Sequence, residues 1–291
     1  MIPRPSALTG VLAAGLLALG GCGSQAAAPG ADTAVVASNG AAELEHIHGL
    51  GEDPKTGELF VATHYGLFRA PRGQTVLRRA GPSRQDTMGF SVVDAGRFLG
   101  SGHPDPGAGG PPALGLIASS DQGRTWKAIS LAGRADFHVL RSSGHQVYGA
   151  DSGTGQIMVS GDGGRSWTSR KPPADVYDLA IDPETPRHVV ASTAQGIFTS
   201  GDAGGRWKPL AGGVAGLLAW PAARELVLVD QNGAVSRSQD AGRTFKATGG
   251  TIGSTPSAFV GARSGLLAAL GDGTVLGSGD SGASWQVRAK P

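Results

Sequence analysis

The sequence predicts an all-β chain built as a closed ring of repeated sheets. Three observations carry that prediction. The pattern Ser-x-Asp-x-Gly-x-Ser/Thr-Trp recurs five times, and its aspartates, Asp121, Asp162, Asp202, Asp240 and Asp280, stand 41, 40, 38 and 40 residues apart. Around each copy lie four short β-like runs, with a turn signal roughly every eight to twelve residues. No helical period is visible beyond the N-terminal leader. About forty residues and four strands per repeat match one blade of a β-propeller. Six repeats across residues 45–291 therefore predict a six-bladed propeller of four-stranded antiparallel blades.

Residues 1–21 read as a secretory leader. Arg4 is its only charge, and the uncharged, mostly apolar run from Ser6 to Gly21 is short for a membrane span. The one cysteine of the chain, Cys22, follows directly. Leu19-Gly20-Gly21-Cys22 resembles the lipobox of bacterial lipoproteins. That resemblance implies cleavage before Cys22, a diacylglycerol on its sulfur, and acylation of the new amino terminus by a chain such as palmitate. Two or three acyl chains anchor stably where one does not. The lipid bilayer is thus the expected partner of Cys22, and the membrane's extracytoplasmic surface the expected location. Residues 22–44 continue as a stretch rich in Ala, Gly, Ser and Pro without sustained periodicity, which reads as a flexible tether.

The first repeat carries a decayed copy of the pattern at Arg69-Ala-Pro71-Arg-Gly73-Gln-Thr75-Val76. It precedes Asp121 by 50 residues, and a Gly/Pro-rich insert between His103 and Gly115 accounts for the excess. Well-formed copies follow at Ser119–Trp126, Ser160–Trp167, Ser238–Phe245 and Ser278–Trp285, with a looser one at Ser200–Trp207. The fourth repeat shows the four strands plainly, as Val176–Ile181, His188–Ser192, Gly196–Ser200 and Trp207–Leu210. Asp can accept amide hydrogen bonds inside its own turn, and Gly supplies the positive φ of a tight hairpin. The aromatic that closes each copy starts the next strand and is expected to pack inward. The last repeat finishes on its own fourth strand, Trp285–Lys290, so strand exchange between first and last blades is not expected. Thr33–Ala37 is one further segment that can supply a strand.

These five copies resemble the Asp-box, or BNR, repeat of sialidases, sortilin-type receptors and plant photosystem assembly factors. The resemblance implies that the box aspartates are structural turn residues on the face away from any ligand. The basic residues beside them, Arg124, Arg165 and Arg243, are then a solvated ring at the turn end.

Composition excludes several classes. Glycine makes up 49 of 291 residues, about 17 % against a usual ~7 %. With 40 % hydrophobic residues the chain still has a core to bury. A single cysteine excludes a disulfide framework within the chain and a zinc site built from paired cysteines. A formal net charge of +2 gives no long-range attraction for nucleic acid, and a monomer is expected.

Blade topology sorts the remaining polar residues. The Asp boxes lie at one end of the ring, with the Asp53-Pro54 and Asp182-Pro183 turns and four glutamates, Glu52, Glu58, Glu184 and Glu225. The second–third loops and the starts of the first strands open at the other end. Five of seven histidines, His46, His48, His64, His103 and His138, fall at that other end; His145 and His188 do not. Asp136, Asp151 and Tyr177 join them as candidate ligand-binding residues, with Asp105, Asp175, Arg84 and Arg134 nearby in register. His46 and His48 are two apart on a strand, so both point the same way. With His64 and His103 they form a candidate Cu or Zn site, since imidazole nitrogens suit both ions.

The runs His46–Leu50, Ala62–Phe68, Met88–Phe90, Ser101–Pro104 and Ala135–His138 also resemble a subgroup of bacterial Asp-box lipoproteins labelled glycosyl hydrolase or exo-sialidase-like. A sialidase requires three arginines, a tyrosine nucleophile with its glutamate, and an aspartate acid/base. The Phe-Arg-Ile-Pro motif of that family is absent, and only Arg84 and Arg134 of the arginines fall at the ligand end, with Glu43 and Glu45 the only glutamates there. The expected function is therefore a membrane-anchored module that binds a metal, glycan or protein ligand through a His-lined pocket at the channel mouth. The alternative is a glycoside hydrolase of sialidase-like type, whose catalytic residues the sequence does not single out.

Overall fold

The computed structural model describes Leu44, residues 46–210 and residues 214–291. The leader, Cys22, Thr33–Ala37 and all of the expected tether except Leu44 lie outside the described residues.

Twenty-four strands form six sheets of four. Blade 1 is β1 (Ile47–Glu52), β2 (Leu59–Thr63), β3 (Gly66–Ala70) and β4 (Arg78–Arg79). Blade 2 is β5 (Asp86–Asp94), β6 (Arg97–His103), β7 (Leu116–Ser119) and β8 (Lys127–Ser130). Blade 3 is β9 (Phe137–Ser143), β10 (Gln146–Asp151), β11 (Ile157–Ser160) and β12 (Thr168–Arg170). Blade 4 is β13 (Val176–Ile181), β14 (Val189–Thr193), β15 (Gly196–Ser200) and β16 (Lys208–Pro209), within two residues of the expected runs. Blade 5 is β17 (Gly216–Ala222), β18 (Glu225–Asp230), β19 (Ala234–Ser238) and β20 (Lys246–Thr251). Blade 6 is β21 (Pro256–Ala262), β22 (Gly265–Leu270), β23 (Val275–Ser278) and β24 (Gln286–Ala289). Every blade is antiparallel and follows chain order, with no strand exchanged between blades among the described residues. The first strands β1, β5, β9, β13, β17 and β21 each pack on the next, and β21 packs on β1, so these six line a central channel.

The core follows from alternation in strands that are covered on both faces. Six apolar clusters sit between successive blades. Between blades 1 and 2, for example, Phe60, Leu67, Phe90 and Phe98 pack with Trp126 partly buried against them. The box aromatics pack this way throughout, half-buried over the seams. At the seam of blades 1 and 6, Leu44 is fully buried among Leu59, Phe68, Leu77, Val275 and Ala289. The same seam carries a parallel bridge between Val76 and Lys290. Arg288 reaches across it to the carbonyls of Gln74, Ala70 and Gly57.

Each Asp box is a small hydrogen-bonded unit. In the Asp162 copy, Oδ1 accepts from the amides of Arg165 and Ser166 and from the Ser160 hydroxyl, while Oδ2 accepts from the Ser166 hydroxyl at 2.6 Å. The Ser160 oxygen in turn accepts from the amide of Gly164 at 2.8 Å. Gly164 has φ +87°, and a Cβ there would lie 2.0 Å from Cδ2 of Leu116 in the preceding blade. The residue before each box glycine is left-handed too: Gln122, Ala203, Ala241 and Ser281 have φ near 60°. In the looser copy Ser200 still donates to Asp202 Oδ1, but Arg206 stands where Ser166 does and sets its Nε beside Asp202 Oδ2 at 3.4 Å. Arg124, Arg165 and Arg243 are exposed at this end.

Candidate functional site: a histidine and aspartate cluster at one mouth of the channel

The mouth opposite the Asp boxes is shaped by β-bulges near the start of five of the channel strands. The ladder skips one residue between Ile47 and Gly49, between Thr87 and Gly89, opposite the Ala150–Asp151 step, between Val176 and Asp178, and between Pro256 and Ala258. A bulge re-aims the extra side chain. The bulged residues are His48, Met88, His138, Tyr177 and Ser257, and all five line one cavity of about 160 Å³ at this mouth. Two residues before the bulge, in the first three blades, stand His46, Asp86 and Asp136.

These side chains converge. His64, in the β2–β3 turn, places Nδ1 2.9 Å from Asp86 Oδ1. His48 Nε2 is 3.9 Å from the same oxygen. The His48 and His64 rings meet edge to face, with centroids 4.3 Å apart. Donor atoms of His48, His64 and Asp86 all lie within 4.8 Å of one another. His46 has a left-handed backbone, φ 59°, and its ring centroid is 5.2 Å from that of His64.

The cluster continues into blades 2 and 3. Asp86 and His103 are cross-strand partners on β5 and β6, and His103 Nδ1 is 3.1 Å from Asp86 Oδ2. The other ring nitrogen of His103 is 3.5 Å from Asp136 Oδ2. That oxygen also lies 2.9 Å from His138 Nε2 and accepts from the Ser152 hydroxyl at 2.8 Å. The residue that precedes His103, Gly102, has φ +136°, and a Cβ there would meet the Asp86 carbonyl oxygen at 2.1 Å. Only glycine lets β6 come this close to β5 and bring His103 over Asp86.

Two buried polar atoms in this cluster have no hydrogen-bond partner, His48 Nε2 and Asp136 Oδ1, and Asp86 Oδ1 has the His64 ring only as an ion-pair neighbour outside hydrogen-bond geometry. Buried polar atoms in native folds are almost always paired, and exceptions call for a cause such as an ion. Burial, and next the neighbouring His64, lower the His48 pKa to about 4. His48 is thus neutral at physiological pH, with a lone pair free to ligate.

Of the residues expected at this mouth, His46, His48, His64, His103, His138, Asp136 and Tyr177 are there. Asp151 is placed differently. It is buried, and its carboxylate accepts from the Asp136 amide at 2.9 Å and the Thr154 hydroxyl at 2.6 Å. It supports Asp136 from behind. Asp105 accepts from Ser83. Asp86 was missed in the sequence, although it stands two residues before Met88 as Asp136 stands before His138. His188, on the Asp-box side, is held by Asp182 and Thr199.

A sialidase constellation is not assembled among the described residues. Tyr65 and Tyr177 are exposed and Tyr148 is buried, its hydroxyl donating to the Pro186 carbonyl. Burial pushes that phenol up to about 12. Glu58 pairs with Arg69, Glu225 lies beside Arg237, and Glu52 holds Ser264. Glu43 and Glu45 lie outside the described residues.

Below the cluster a second cavity of about 510 Å³ lies toward the Asp-box end, lined by Glu52, Ser91, Ser142, Trp220 and Arg263. The two cavities share Leu50, Arg141 and Val260 as lining.

No protein-family model matches the sequence, and no curated protein matches it. Solved structures do. The chain is similar to the GH74 xyloglucanase of Xanthomonas campestris, with TM-score 0.55 and 17 % identity over 84 % of this chain and 45 % of the enzyme, so it spans under half of that protein. It is similar to YCF48 bound to a D1 peptide, with TM-score 0.51 and 15 % identity over 84 % and 83 % of the two chains. A chain of the nidogen/laminin complex gives TM-score 0.61 at 14 % identity over 80 % and 93 %. At these identities the likeness is one of fold. These neighbours include a hydrolase and binding proteins alike, and what they share with this chain is the propeller.

Proposed function

We propose that this propeller is a monomeric binding module, held at the extracytoplasmic face of the membrane by acylated Cys22, whose His-lined mouth takes a divalent transition-metal ion. His48 Nε2, His64 Nδ1 and Asp86 Oδ1 are the ligands. The observation that carries the reading is that donor atoms of His48, His64 and Asp86 lie within 4.8 Å of one another while the buried His48 Nε2 has no hydrogen-bond partner. Two imidazoles and a carboxylate suit Zn(II) or Cu(II). Three protein ligands leave a coordination position open, as in sites where a metal meets an outside molecule. The exposed Tyr177 lines the same mouth.

The test is elemental analysis of the purified protein after equilibration with Zn(II) or Cu(II) and removal of excess. At least one ion per chain is expected. Replacing His48, His64 and Asp86 together with Ala, Ala and Asn should abolish retention at this position, and unchanged retention would overturn the assignment. The same preparation, run against fluorogenic glycosides including sialosides, is expected to give flat traces; turnover would instead assign a glycoside hydrolase.

A further inference from the structure

We propose that His103 is the positioning residue of the ion at this mouth: it holds one oxygen of Asp86, so that the carboxylate meets the metal through the other alone. This rests on the metal-binding reading of His48, His64 and Asp86.

The two oxygens of Asp86 are used differently. Oδ2 accepts a hydrogen bond from His103 Nδ1 at 3.1 Å. A carboxylate oxygen only accepts, so Nδ1 carries the ring proton. Oδ1 is buried and without a hydrogen bond, 2.9 Å from His64 Nδ1 and 3.9 Å from His48 Nε2. Those separations bracket the ~3.3 Å between neighbouring donors of a tetrahedral site with bonds of ~2.0–2.1 Å. One oxygen is committed to the protein and the other is left to the ion.

The ring that makes this division is itself fixed. His103 faces Asp86 across the β5–β6 ladder, brought over it by left-handed Gly102. Its other nitrogen stands 3.5 Å from Asp136 Oδ2. Asp136 is held in turn, its amide by the Asp151 carboxylate and its Oδ2 by the Ser152 hydroxyl and His138. Partners of this kind orient metal ligands without touching the metal.

The consequence lies in coordination number. Bound through one oxygen, Asp86 completes a set of three donors with His48 and His64 and leaves a fourth position open. Bound through both, it closes that position and moves the site toward higher coordination. His103 thus keeps the ion accessible to an outside molecule.

Cobalt(II) reads this difference, because tetrahedral Co(II) absorbs visible light several times more strongly than five- or six-coordinate Co(II). The purified protein is titrated with Co(II) near neutral pH, and absorption is recorded per bound ion. The melting temperature without metal serves as the folding control. The His103 side chain is 43 % exposed, so replacing it opens no hole in the core. The wild type should show strong tetrahedral bands. His103→Ala should still bind one ion, about 10–100-fold more weakly, with absorption per ion several times lower. His103→Asn, whose amide can donate to Oδ2, should return both toward the wild type. Wild-type absorption and affinity in His103→Ala would overturn the positioning role and leave the metal site intact. So would a His103→Asn variant no different from His103→Ala. Loss of the ion from both variants would make His103 a ligand rather than a positioning residue. No bound Co(II) in the wild type would overturn the metal reading itself, and this role with it.

Discussion

Arg141 and Asp178 form an ion pair beside the two channel cavities that Arg141 lines, with Nη2 2.6 Å from Oδ1. The pair stitches three blades. Asp178 of blade 4 also accepts the amide of Leu179 and, at 2.8 Å, the amide of Leu218 in blade 5. Arg141 of blade 3 donates to the Leu179 carbonyl. Burial pushes the Asp178 carboxyl up, while Arg141 and the two amides pull it back. Removing one partner of such a pair strands the other, at a cost of about 3–5 kcal/mol. Asp178→Asn is therefore expected to lower the unfolding free energy by that order in a denaturant titration. Asp178→Leu with Arg141→Met should lie nearer the wild type. An unchanged midpoint for the single variant would refute the structural role.

Gly164→Ala tests the seam between blades 2 and 3. The new methyl would meet Leu116 at 2.0 Å on a left-handed backbone. Gly155 is also left-handed, φ +66°, but has open space around it. Gly155→Ala should cost only the backbone strain, about 1–2 kcal/mol. Gly164→Ala should cost that plus an overpacking penalty of about 1–3 kcal/mol. Equal melting temperatures for the two variants would show that the seam gives way freely.

The Asp boxes predict an acid limit to stability. The Thr244 and Ser284 hydroxyls, followed by the amides of the same residues, hold Asp240 and Asp280 at about 2. The Ser166 hydroxyl and amide hold Asp162 lower still. An unfolded Asp titrates near ~3.9. A depressed folded pKa gives stability that is fully present above the unfolded value and lost as pH falls through the folded one. Melting temperature should hold at pH 5 and fall between about pH 4 and 2. Asp240→Asn with Asp280→Asn should be less stable at pH 5, with a shallower decline. A wild-type melting temperature independent of pH over this window would contradict the argument.

Cys22→Ala tests the anchor. The wild type is expected in the membrane fraction and should incorporate labelled palmitate. The variant should lose the label, and its association with membranes should drop sharply. Label retained by the variant would place the lipid elsewhere.

The blade count was legible because an Asp box is made within eight residues. Asp, Gly and hydroxyl act on their own turn, so the chemistry is written locally and repeats. The strands of blade 4 were legible for a similar reason, as β-branched runs between Asp-Pro and Gly turns. The convergence of His46, His48, His64, His103 and His138 followed from register alone. Asp86 did not, because a carboxylate in Arg84-Gln85-Asp86-Thr87 reads as a solvated residue ahead of a strand. Its value comes from facing His103 across the β5–β6 ladder. The bulges that aim His48, Met88, His138 and Tyr177 inward are a property of strand pairing, which composition does not announce. Asp178 sits inside a run that reads as ordinary strand, and its partners are 37 and 40 residues away.

Each blade is one unbroken length of chain, and the ring shuts by packing at the seam between blades 6 and 1. Among the described residues, no blade is assembled from two distant pieces. A forty-residue unit could therefore be duplicated or lost without rethreading its neighbours, so the number of blades is open to change by simple tandem copying. The first three units carry the imidazoles and carboxylates of the mouth, while the last three supply mainly walls. One half of the wheel thus carries the polar chemistry of the mouth, and the other half closes the ring around it.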